Sequence, residues 1–152
     1  MNSAILKRAL PASGILALAL MASGPAAAQF GGPPPPPNTG VPLYTELTGT
    51  DAHGQATVVI DPPKGTACYI VNVTGLGEIT GPATAAHVHI GGAGETGRPV
   101  ITLEAPTDGS SGGCVEIADD LAQAIIANPG GYYVNVHTQT FPQGAIRGQL
   151  KG

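Results

Sequence analysis

From residue 43 onward, hydrophobic and polar residues alternate in short runs that are separated by glycine and proline. Alternation with a period of two places the hydrophobic side chains on one face of a β-strand. The runs that predict strands are 43–48, 55–60, 67–74, 85–90, 99–103, 132–138 and 145–150. Short strands between glycine- and proline-rich turns are typical of an all-β domain, here an antiparallel, Greek-key-like β-sandwich.

One segment, residues 119–127, has the periodicity of a helix. Its apolar stripe consists of Leu121, Ile125 and Ile126. Asp119 is placed to cap the first turn, and the proline and glycines of residues 128–131 would end the helix. The pattern therefore predicts a β-sandwich with one short helix.

The alternation also predicts which strand residues point into the core. These are Val88, Ile90, Val134, Val136, Ile146 and Leu150. The opposite faces of the same strands then carry His87 and His89, Asn135 and His137, and finally Arg147. We therefore expect the candidate chemistry on the side of the sheet that faces away from the core.

The first 42 residues show no such alternation. A basic start and an apolar stretch that ends at a small-residue cleavage site identify residues 1–28 as a signal peptide. Residues 29–42, which contain five consecutive prolines, are predicted to be a linker before a domain at 43–152. We therefore expect a secreted or periplasmic protein with no stable membrane insertion after cleavage.

The net charge of the exported chain indicates which classes of partner to expect. Cleavage would remove two of the six basic residues, Lys7 and Arg8, and would leave the ten acidic residues in place. The exported chain would then carry a net charge of about −6, which argues against nucleic acid as a partner.

Cys68 and Cys114 are the only cysteines in the sequence. In an exported chain, one pair of cysteines is most simply a disulfide. The competing interpretation, two thiolate metal ligands, is less favoured because the spacing is long and the compartment is oxidising.

His87 and His89 are two residues apart on a predicted strand, so they share a face with their Cβ atoms about 7 Å apart. Two imidazoles at that spacing can lean toward one metal ion. The alternative is that both histidines simply face solvent.

His137 and His53 are the remaining histidines, and they extend this candidate metal site. His137 is predicted as the third ligand and His53 as the candidate fourth. Without methionine or a free thiol after cleavage, the ligand set suits a cupric or zinc ion. Asn135 and Arg147 could orient the imidazoles. The alternative is a polar cluster in which His137, Asn135, Arg147 and Thr138 satisfy one another.

Two blocks of sequence together resemble the CHRD (chordin) domain. The first runs from Ala86 to Val100 and contains the His-x-His pair and its glycines; the second comprises 132–138 and 144–150. The resemblance covers about 43–150, and it implies an immunoglobulin-sized β-sandwich in a stand-alone secreted member. In chordin itself such domains belong to an extracellular antagonist of growth factors. His53 matches no family motif.

Three function classes remain open. The first is an exported, non-catalytic protein that binds copper or zinc through its histidines. The second is a module that binds an extracellular protein or a glycan without metal. The third is a copper-only enzyme, because the His-x-His strand also resembles copper-zinc superoxide dismutase; this version would need His53 as a fourth ligand. Ser110 and Ser111 are interpreted as part of a glycine-rich loop without a neighbouring histidine, so no catalytic residue is predicted.

Overall fold

The computed structural model describes residues 39–152. The predicted signal peptide (1–28) and most of the predicted linker (29–42) lie outside the described residues. The first strand begins at Val41, slightly before the predicted domain start at residue 43. No helix of the described part is long and apolar enough to cross a membrane.

The described residues form eight strands, one α-helix of nine residues, one α-helix of a single turn, and two 3-10 helices at Pro62–Lys64 and Pro129–Gly131. In chain order the strands and α-helices are β1 (Val41–Gly49), β2 (His53–Asp61), β3 (Thr66–Thr74), α1 (Leu76–Ile79), β4 (Ala83–Ile90), β5 (Pro99–Leu103), β6 (Ser110–Glu116), α2 (Asp119–Ala127), β7 (Tyr132–Thr138) and β8 (Ile146–Gln149). The all-β class with one short helix is confirmed, and α2 has the predicted bounds.

All eight strands form one antiparallel sheet in the order β5-β4-β7-β8-β1-β2-β3-β6. The sheet curves until its two edges approach each other. Near the end of β5, the Glu104 carbonyl accepts a hydrogen bond from Ser111 Oγ of β6 at 2.8 Å, and the Glu104 N–H donates to Tyr69 Oη at 2.8 Å. The result is a nearly closed, barrel-like sandwich around one core.

The core is lined by small aliphatic side chains, as the alternation predicts. Five of the six predicted core residues are buried: Val88, Val134, Val136, Ile146 and Leu150. The prediction for Ile90 is wrong, because its side chain is 41% exposed. The register between β4 and β5 shifts between Val88 and His89, and such a bulge ends the simple alternation. Ile90 is the last residue of β4, and its N–H binds the Arg98 carbonyl.

Strand β6 corrects the interpretation of residues 110–111 as loop. Ser110 and Ser111 begin this strand, which pairs along its length with β3. Its sequence shows little alternation because β6 is an edge strand with mostly exposed residues. Cys68 and Cys114 are direct partners in this pairing, and the predicted disulfide between them is confirmed.

Helix α2 begins in a different way from the one predicted. Ala118, in an extended conformation, occupies the N-cap position, and no side chain caps the helix. Asp119 is therefore the first helical residue, where its negative charge still suits the helix dipole. Ala122 and Ile125 are buried, so the apolar side of α2 joins the core.

Candidate metal centre

The pairing of β4 with β7 gathers three histidines on the outer face of the sheet. His87 is opposite Asn135, His89 is opposite Tyr133, and His137 is opposite Ala85. The ring centroids of His87 and His89 are 5.5 Å apart, and His137 lies 5.1 Å from His87 and 5.7 Å from His89. Their candidate ligand nitrogens all lie within 4.8 Å of one another. The structure thus brings together the three predicted ligands, which we call the histidine cluster.

Two of the rings are oriented by backbone carbonyls. His89 Nδ1 is 2.8 Å from the Gly97 oxygen, and His137 Nδ1 is 3.0 Å from the Pro142 oxygen. Because a carbonyl only accepts hydrogen bonds, Nδ1 of each ring must carry the proton and Nε2 must carry the lone pair. Both Nε2 atoms are buried without a hydrogen-bond partner, and so is Nδ1 of His87. Each ring therefore supplies one buried nitrogen without a partner.

Burial favours the neutral form of two histidines of the cluster, His87 and His137. The pKa of His87 is lowered first by burial and then by the neighbouring His137 and His89. Burial also lowers the pKa of His137, against the smaller opposing effect of its hydrogen bond to Pro142. Neutral imidazole is the form that binds a metal, so the lowered pKa values of these two rings favour metal binding at neutral pH.

The dimensions of the cluster are close to those of a metal site. With metal–nitrogen bonds of about 2.0–2.1 Å, two ligands in a tetrahedral site lie about 3.3 Å apart. The cluster, with nitrogens within 4.8 Å, would have to contract by roughly 1.5 Å at most. Among the described residues, no other group of three histidines, cysteines or carboxylates is this close together.

Gly97 links His89 to its surroundings. This role of Gly97 was not predicted from the sequence. Its carbonyl accepts the hydrogen bond from His89, and its N–H donates to Tyr133 Oη at 3.2 Å. A Cβ atom at this position would collide with the backbone carbonyl of Ile90. Only glycine therefore fits here, and the signal for it is the glycine run directly after the His-x-His strand.

Tyr133 and Arg147 form a stack beside His89. The Tyr133 ring stacks on His89 with centroids 5.0 Å apart and planes inclined by 16°. The guanidinium carbon of Arg147 lies 3.5 Å from the centroid of the Tyr133 ring, and its Nη1 donates to the Glu95 carbonyl at 2.9 Å. None of the hydrogen bonds from Arg147 goes to an imidazole. Arg147 thus holds Tyr133 and the glycine loop, instead of orienting an imidazole directly.

Asn135 is likewise tied to a loop. Its Nδ2 donates to the Gln143 carbonyl at 3.1 Å, next to the Pro142 carbonyl that accepts from His137. A Cβ atom on Gly144 would collide with the Asn135 amide. Asn135 therefore fixes the loop that fixes His137.

The alternative of a self-satisfied polar cluster does not match these contacts. Among the described residues, no hydrogen bond joins His137, Asn135, Arg147 and Thr138 to one another. Each of the four instead bonds to a loop: Pro142, Gln143, Glu95 and Phe141 are the respective partners.

His53 lies elsewhere on the sheet. It is an exposed residue at the start of β2, four strand positions from β4 in the sheet order. At about 4.8 Å per strand, that separation is roughly 19 Å along the sheet. His53 cannot reach an ion held by the histidine cluster.

Comparison with known proteins gives one match. The family model described as the CHRD domain matches residues 33–150, most of the chain. No curated protein and no solved structure matches this chain.

Proposed function

Because this chain belongs to the CHRD domain family, we propose that it is an exported, non-catalytic protein that binds one cupric or zinc ion. The ligands are His87, His89 and His137. The observation that carries this proposal is the set of three buried imidazole nitrogens without a partner, one from each ring.

A metal ion explains these nitrogens better than a structural role does. A buried polar atom without a hydrogen bond costs about 1–3 kcal/mol, and the cluster contains three such atoms in one place. Only His87 could donate a hydrogen bond to another ring, because backbone carbonyls hold the protons of His89 and His137 on Nδ1. One such bond would still leave the Nε2 atom of the third ring without a partner. A cation shared by three lone pairs satisfies all of them at once.

The donor atoms favour a divalent ion. The described chain has no methionine, and both of its cysteines are in the disulfide, so soft ligands for cuprous copper are missing. Neutral imidazoles suit cupric copper and zinc, and copper is expected to bind more tightly.

Export is supported by two observations. The Cys68–Cys114 disulfide is the kind of bond that persists in oxidising compartments, and the CHRD family is one of extracellular-type modules. Mass spectrometry of the exported protein should find an N-terminus at Gln29. A chain that retains residues 1–28 would contradict export by this signal.

Titration of tag-free protein with Cu²⁺ or Zn²⁺ by calorimetry, with metal analysis, tests the site. We expect one ion per chain in the wild type and no tight binding in His137→Ala. His53→Ala is the matched control, since it removes an imidazole far from the cluster and should bind normally. The proposal would be contradicted if both variants lost metal binding to the same extent, or if the wild type bound no metal.

A metal-independent interaction module is the second candidate, and one observation favours it. Tyr44, Thr57 and Ile70 follow one cross-strand row on the outer face, with Tyr44 54% and Ile70 59% exposed. A partner bound there should be lost in Ile70→Ser and retained in His137→Ala in a pull-down from the extracellular fraction. The copper-only enzyme has less support, because it needs His53 as a fourth ligand.

A further inference from the structure

The histidine cluster offers a metal ion an unusual balance of charge. All three ligands are neutral imidazoles, and no carboxylate belongs to the group. The three ligand nitrogens are buried, although the His87 and His137 residues are partly exposed, and three protein ligands leave a fourth coordination position for a ligand from solution. A divalent ion held in this way keeps its full double positive charge.

Two charged residues, Arg147 and Glu95, belong to the contacts around the cluster. Arg147 adds a further positive charge, stacked against the Tyr133 ring that in turn stacks on His89. Glu95 lies in the glycine loop that follows β4. Its carboxylate accepts a hydrogen bond from the Gly92 N–H and forms no ion pair with Arg147. Apart from Lys64 with Asp61, no ion pair occurs among the described residues.

From these contacts we propose that the metal-loaded centre binds a small anion as its fourth ligand, in exchange for a water molecule. This inference rests on the proposed function and extends it to a class of ligand. Three protein ligands and one exchangeable position are typical of reactive metal sites, whereas structural sites are closed by four protein ligands. A partly desolvated dication with neutral ligands prefers an anion to a neutral molecule in the open position. The local preference is then opposite to the net negative charge of the whole chain.

Azide is a suitable probe, because it is a small monoanion whose binding to Cu²⁺ changes the optical spectrum. The tag-free exported protein is first loaded with one equivalent of Cu²⁺, and metal analysis confirms the stoichiometry. Azide titration should then give a saturable charge-transfer band and a changed electron paramagnetic resonance spectrum. Bound copper whose spectra do not respond even to high azide concentrations would overturn this inference alone. Failure to bind copper would overturn the proposed function as well.

Two charge variants test whether the local field selects the anion. Arg147→Gln removes the positive charge that is stacked on Tyr133 beside His89, and it should weaken azide binding by about two- to tenfold. Glu95→Gln keeps an oxygen that can accept from Gly92 but removes a negative charge, so it should strengthen azide binding. Affinities are compared only at full copper occupancy. If both variants weaken azide binding, or neither changes it, local charge does not select the ligand and the inference is overturned.

Discussion

His137 and His53 both lie on the outer face of one sheet, but only His137 joins His87 and His89. Along the chain His53 is closer to His87 than His137 is. In the sheet the order is reversed, because β4 pairs with β7 and lies four positions from β2. The outer face of β4 and β7, the cluster face, therefore carries the chemistry, and the outer face of β1 to β3, the His53 face, does not. Strand pairing decides which histidines can cooperate.

The largest expected effect comes from breaking the core behind the cluster face. Val134 is fully buried on the inner face of β7, opposite Val88 of β4. Val134→Asp would bury a charge without a partner, at a cost comparable to the total stability of about 5–15 kcal/mol. We expect no cooperative thermal transition in this variant by circular dichroism.

Ile70→Asp is the matched control on the His53 face, where the side chain is exposed. This variant should unfold cooperatively, near the wild-type temperature. Cooperative unfolding of Val134→Asp would show that the two faces of β7 have been assigned in reverse.

Removing the disulfide tests whether metal binding on the cluster face is independent of stability on the His53 face. It joins β3 to β6 and closes a loop with a sequence separation of 46. Replacing Cys68 and Cys114 together with serine should lower the free energy of unfolding by about 4 kcal/mol in the chain-entropy model. Chemical denaturation measures this loss, and metal titration below the unfolding midpoint should be unchanged. Weaker metal binding in the folded variant would mean that the faces are coupled.

Gly97→Ala tests whether metal binding on the cluster face depends on the orientation of His89. The new methyl group would collide with the Ile90 carbonyl and displace the carbonyl that orients His89. Loss of such an orienting partner typically weakens metal binding by about 10–100-fold. Gly77→Ala in α1 is the control, because a Cβ there meets nothing within 4 Å. Equal metal affinities in the two variants, measured by calorimetry, would contradict the role of Gly97.

The smallest expected effect is a dependence of apo-protein stability on pH. The pKa values of His87 and His137 are lowered in the folded state, so below about pH 6.5 the unfolded chain binds more protons. The free energy of unfolding should therefore fall as the pH decreases from 7 toward 5. Chemical denaturation of His137→Ala at several pH values should show a shallower fall than the wild type. Identical slopes in the two proteins would contradict the burial of these imidazoles.

Much of this architecture was predictable from local patterns. Alternation predicted the all-β class and the inward side chains of β4, β7 and β8 except Ile90, and helical periodicity predicted the bounds of α2. The expectation of export, together with an even cysteine count, predicted the disulfide. Each of these signals is contained within a short segment or a residue count, which is why a single sequence was enough.

Other features depend on pairing, which a single sequence does not specify. The position of His53 follows from the sheet order, and the exposure of Ile90 follows from a register shift between β4 and β5. Strand β6 has too few apolar residues to alternate. The contributions of Gly97 and Tyr133 depend on a loop that folds back beside His89.

The most direct measurement of the central claim is a crystal structure of protein loaded with one equivalent of Cu²⁺ or Zn²⁺, with anomalous diffraction at the metal edge. We predict one anomalous peak about 2.0–2.1 Å from one nitrogen each of His87, His89 and His137. No peak should lie beside His53. A peak at His53, a peak at another surface site, or no peak in the cluster would contradict the account.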